Sequence, residues 1–65
     1  MNEGMWIKLH RIDGLQTAIN LRNVQRVDDT TRYNKNNGKR AAVFFTDGSM
    51  MYTDETFDEI GEMIR

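Results

Sequence analysis

A chain of 65 residues with a formal net charge of −1 and 29% charged residues has room for one domain, and no overall field directs it to nucleic acid or an acidic membrane. It has no cysteine and one histidine, His10, which removes disulfides, thiolate chemistry and every Cys/His zinc pattern. A core this small rarely supplies more than about 3–5 kcal/mol, so self-association into a homo-oligomer is the expected reinforcement.

Residues 5–12 alternate, with Met5, Ile7 and Leu9 on one side and Trp6, Lys8 and His10 on the other. That is the period of a strand. Asp13-Gly14 then breaks the chain before a second alternating run in which Leu15, Ile19 and Leu21 are in phase, so the pair reads as a β-hairpin. A two-residue turn would mix apolar and polar groups on both faces. A three-residue loop, Ile12-Asp13-Gly14, with Gly14 left-handed, pairs Met5 with Leu21, Ile7 with Ile19 and Leu9 with Thr17, and gathers one apolar face. This second register is the expected one.

In residues 23–30, Val24 and Val27 stand three apart, which predicts a strand with a bulge. The polar segment 31–38 that follows suits a long loop. Residues 39–46 are apolar on both faces through Val43, Phe44 and Phe45, as in a central covered strand. Thr46-Asp47-Gly48 repeats the turn of Ile12-Asp13-Gly14 and leads into a last strand over residues 49–53. Thr56 with Glu59 makes a capping box, and Phe57, Ile60 and Ile64 with Met63 at the edge predict a C-terminal amphipathic helix. The expected fold is α+β: an antiparallel five-stranded β-meander, free to curl strongly or toward a barrel, with one C-terminal helix, in a single domain spanning residues 1–65.

Catalysis has little to stand on. His10 is the one histidine available for acid–base work, no cysteine nucleophile exists, and no Ser or Thr sits in a nucleophile motif. The acids lack the spacing of a calcium loop, and neither metal nor cofactor is expected. The chemistry lies in residues 32–40, where Arg32, Lys35, Lys39 and Arg40 surround Tyr33 and three asparagines with no acid among them. Such cations bind phosphate or carboxylate, and a tyrosine ring stacks on a base. Arg32, Tyr33, Lys35, Lys39 and Arg40 therefore form the candidate site for an anionic ligand of nucleotide type. The plainer reading is a solvated hairpin tip kept soluble by its charge.

Trp6, Lys8, His10 and Phe44 fall on faces that the single helix does not serve, which makes them the candidate subunit interface. A nucleic acid partner is disfavoured by Asp54, Glu55, Asp58, Glu59 and Glu62 in the helical segment. No apolar run reaches the roughly 18–20 residues of a membrane span, and the first four residues lack the pattern of a signal peptide. A cytoplasmic protein without membrane insertion is expected.

The order Trp6-Ile7-Lys8-Leu9-His10-Arg11-Ile12-Asp13-Gly14, Ile19-Asn20-Leu21, Val24-Gln25-Arg26-Val27, Val43-Phe44-Phe45-Thr46-Asp47-Gly48 and Thr56-Phe57-Asp58-Glu59-Ile60 resembles the FlbD/SwrD flagellar and swarming-motility proteins. The resemblance covers nearly the whole chain and implies a small accessory protein acting through protein–protein contacts. The segment 32–40 is longer than the short hairpin associated with that family.

Overall fold

The computed structural model describes residues 5–34 and 38–65. Strand β1 (Trp6–His10) pairs antiparallel with β2 (Gln16–Asn20) in the expected register, Ile7 opposite Ile19 and Leu9 opposite Thr17. The turn closes through Gly14 N donating to Arg11 O at 2.8 Å, with Gly14 at φ +88°. Asp13 Oδ1 accepts from Leu15 N and holds the loop from inside. Leu15 itself is 56% exposed, so the expected apolar phase stops at Ile19 and Leu21.

The chain does not continue as a meander. Asn20 caps a 3-10 turn, Leu21–Asn23, by accepting from Arg22 N, and this corner sends the next strand into a different sheet. There β3 (Val24–Asp29), β4 (Ala41–Phe45) and β5 (Met50–Thr53) form a three-stranded antiparallel sheet with β4 in the centre. The expected bulge is present, because the register slips by one between Val24 and Arg26. Thr46-Asp47-Gly48 repeats the first turn, with Gly48 N donating to Phe45 O and Gly48 at φ +93°. Before β4 the segment expected to be all loop holds one helical turn, α1 (Thr31–Asn34), started by Asp29 Oδ1 accepting from Thr31 N and Oγ1.

The two sheets meet where β1 and β5 end. Arg11 bridges Thr53, and Asp54 N donates to His10 O at 2.8 Å. The strands therefore follow the spatial sequence β2, β1, β5, β4, β3 with a break in the middle. The closed or barrel-like form does not occur, since the 3-10 corner keeps β2 from pairing with β3. One antiparallel α+β unit remains, with five strands in two sheets and helix α2 (Phe57–Ile64).

Both sheets turn their apolar sides to one core of Ile7, Leu9, Ile19, Ala41, Val43 and Ile60. Leu21, Val24, Val27, Phe45 and Met51 line its margins. The capping box of α2 is complete, Glu59 N donating to Thr56 Oγ1 and Thr56 N to Glu59 Oε1. Of the expected apolar stripe only Ile60 is buried; Phe57, Met63 and Ile64 remain more than 40% exposed. An eight-residue helix is too short to cover the sheets and bury both its flanks.

Candidate functional site

Direct opposition across an antiparallel sheet puts paired residues on the same face. Opposition of Arg26 with Phe44, Phe44 with Met50, and Ala42 with both Asp28 and Tyr52 therefore defines the side of the three-stranded sheet turned away from the core. Two rings stand there, and each carries a cation. Arg26 Cζ lies 4.0 Å from the Phe44 ring centre, and Lys39 Nζ lies 4.9 Å from that of Tyr52. Arg26 is oriented by Asp28, its Nε 3.4 Å from Oδ2. Lys39 is brought into place by its backbone, whose carbonyl accepts from Thr30 Oγ1 at 2.7 Å.

Tyr52 also forms one wall of an open groove of about 600 Å³ between the first hairpin turn and β5, lined by Arg11, Ile12, Asp13, Thr17, Met50 and Met51 besides. Its volume is in the range of small-ligand sites, and its wall mixes apolar surface with one cation. Arg11 is held at the groove by Asp13 at 2.9 Å.

Among the described residues, the candidate cations Arg32, Lys39 and Arg40 do not converge. Arg32 is exposed on α1. Tyr33 belongs to α1 by its backbone; its side chain, and Lys35 altogether, lie outside the described residues. Lys39 turns to Tyr52. Arg40 sits in a second groove, of about 540 Å³, with Asp54, Glu55, Glu59, Glu62 and Met63, its Nε 3.9 Å from Asp54 Oδ1. An anion entering there would meet four carboxylates for one guanidinium, so the second groove is suited to cationic groups.

The candidate interface residues divide in the same way. Trp6, Lys8 and His10 lie exposed on the outer side of β1, Trp6 at 53%, while Phe44 is half-buried beneath Arg26 on the other sheet. His10 is engaged within the fold, because its backbone N and ring Nδ1 reach Glu55 Oε1 and Oε2 at 2.8 and 2.7 Å. Burial pushes the Glu55 carboxyl upward, but the two hydrogen bonds from His10, its charge and a bond from the Glu55 backbone together hold the group below its ordinary value. Asp29 and Asp47 are also lowered, by hydrogen bonds from Thr31 and Ser49.

Arg26 and Tyr52 were not among the sequence candidates. Alternation in β5 places Met50 and Tyr52 on one face, but only the cross-strand register shows that Phe44 shares it. No family model, curated protein or solved structure matches the chain. The resemblance to FlbD/SwrD proteins therefore rests on the residues quoted for it. No described helix is long and apolar enough to cross a membrane.

Proposed function

We propose that the chain is a non-enzymatic, self-associating binding module that captures an anionic ligand of nucleotide type beside Tyr52. The observation that carries this reading is the pair of cation-bearing rings on one sheet face, with the Tyr52 wall opening into the groove. A base would stack on exposed ring surface, and Lys39 and Arg11 would meet the phosphate. Within segment 32–40 this moves the weight to Lys39. Arg32 is exposed on α1 apart from the groove lining, and Arg40 is committed to the acidic groove. The site is open, so a neighbouring copy would be needed to enclose the ligand to the roughly 70–90% usual for such sites.

Calorimetric titration with nucleoside mono- and diphosphates and cyclic dinucleotides tests this. Binding should occur in the wild type and fall by about tenfold or more in Lys39→Ala and Tyr52→Leu, a loss of roughly 1–3 kcal/mol per stacked or charge-assisted contact. Arg40→Ala should leave it unchanged. No binding by any of these ligands at millimolar concentration, or binding indifferent to Lys39 and Tyr52, would sink the proposal.

A second reading, contact with another protein as in a motility accessory factor, draws on a different observation. Trp6, Ile12, Leu15, Met50, Phe57, Met63 and Ile64 are all large, apolar and at least 37% exposed among the described residues. That is much uncovered apolar surface for so small a fold.

A further inference from the structure

Helix α2 turns Ile60 into the core and leaves Phe57 and Ile64, 42% and 45% exposed, on an adjoining flank. Gly61, one residue on from Ile60 and so about 100° around the helix, lies between them along the axis and about 40–60° further round from the core. The fold itself gives no reason for a glycine there. Its φ is not positive, unlike those of Gly14, Gly38 and Gly48, and a Cβ built on it would meet nothing within 4 Å. A glycine inside a short helix weakens it relative to alanine. A backbone left bare at such a position, flanked by two uncovered apolar side chains, is suited to close approach by another backbone.

We propose that this flank packs against the same flank of a second copy, the two α2 helices crossing antiparallel at Gly61. The occupant follows from charge. A two-fold axis at Gly61 reverses the partner helix, so residues three or four before the glycine come within one residue's rise, about 1.5 Å, of the partner's residues three or four beyond it on the same side of the seam. Phe57 then lies against the partner's Ile64, and Asp58 comes beside the partner's Arg65, twice by symmetry. Arg65 is able to swing across, since what holds it on the helix is an exposed contact to Glu62 at 3.2 Å. A parallel crossing would instead put Asp58 against Asp58. The antiparallel one also opposes the two helix dipoles favourably, and Glu59 stays on the far side of the helix while Glu62 stands at the edge of the seam. The inference rests on the self-association proposed above and supplies its surface.

Sedimentation across about a hundredfold concentration range tests it on wild type, Gly61→Ala, Asp58→Arg, Arg65→Asp, the double charge exchange and Trp6→Ala. Wild type should dimerise. Gly61→Ala should melt higher than wild type at the lowest concentration yet dimerise about fivefold or more weakly, because its methyl intrudes on the crossing. Each single charge reversal should weaken the dimer by about three- to tenfold and the double exchange should restore it. Circular dichroism at low concentration confirms that the helix persists in each variant. A double exchange no better than its parents, or Gly61→Ala assembling like wild type, overturns the helix crossing. Assembly lost in Trp6→Ala alone overturns it while leaving self-association standing; a wild type monomeric throughout overturns both.

Discussion

Glu55 receives two hydrogen bonds from His10, one from the backbone N at 2.8 Å and one from ring Nδ1 at 2.7 Å, and so ties the end of β1 to the segment entering α2. The Glu55 side chain is only 13% exposed and that of His10 is 49% exposed, so the carboxylate is the sheltered member. Glu55→Ala should therefore cost about 1–3 kcal/mol, the penalty for leaving bonded donors without their acceptor. Urea unfolding at neutral pH reads it directly.

The same contact has a pH signature. A carboxyl whose folded pKa is lowered stabilises the fold above its unfolded value and loses that contribution as pH falls through the folded value. Glu55, held low by His10 against the effect of burial, should thus give a stability loss confined to pH below about 4.3. Asp29 and Asp47 are lowered too and contribute to the same acid limb. The part due to Glu55 is isolated by Glu55→Gln, which should be less stable than wild type at about pH 7 and converge with it near about pH 2. Parallel curves over that range would contradict the assignment.

The glycines of this chain should respond with opposite signs. Gly14 and Gly48 hold φ of +88° and +93° in matching turns, where an L side chain costs roughly 1–2 kcal/mol. Alanine at either should lower the urea midpoint. Alanine at Gly61, where open space surrounds the new methyl, should raise the stability of the dilute protein by about 1 kcal/mol.

Burial separates two large residues that share strand β1. Leu9 is fully buried, and Leu9→Ala should remove about 2–5 kcal/mol, enough to unfold most of so small a protein at room temperature. Trp6 is 53% exposed, and Trp6→Ala should leave the far-ultraviolet spectrum of the dilute protein nearly unchanged. An effect of Trp6→Ala that emerges only at high protein concentration would place the indole at a contact between copies.

The stacked pair of Lys39 and Tyr52 should show a coupling of about 0.5–1 kcal/mol in a double-mutant cycle with Lys39→Ala and Tyr52→Leu, as expected for a partly exposed cation over a ring. Coupling indistinguishable from zero would mean that Lys39 spends its time in solvent, and would remove the preorganisation on which capture beside Tyr52 relies.

Much of this architecture is legible without coordinates. The hairpin register with Ile7 opposite Ile19, the twin turns ending in Gly14 and Gly48, the bulge after Val24 and the Thr56/Glu59 capping box all depend on residues close together in the chain. Side-chain alternation, a glycine able to take positive φ and a cap within one helical turn act over that distance. The exposure of Leu15 and of the α2 flanks was less legible, because periodicity states which residues share a face and not whether anything covers it.

What the sequence by itself determined is thus the set of local elements and the apolar side of each: two hairpin-like pairings, a bulged strand and one capped helix. Tertiary structure alone decided that β1 ends beside β5 through Arg11 and Thr53, that a 3-10 corner at Leu21–Asn23 divides the strands into two sheets, and that Lys39 and Arg40 go to different partners. Lys39 goes to a ring on β5, and Arg40 to acids from the β5–α2 junction and α2, because a long cationic side chain settles against whichever ring or carboxylate the fold brings near. Those partners lie well beyond one turn or strand along the chain, where no local pattern reaches.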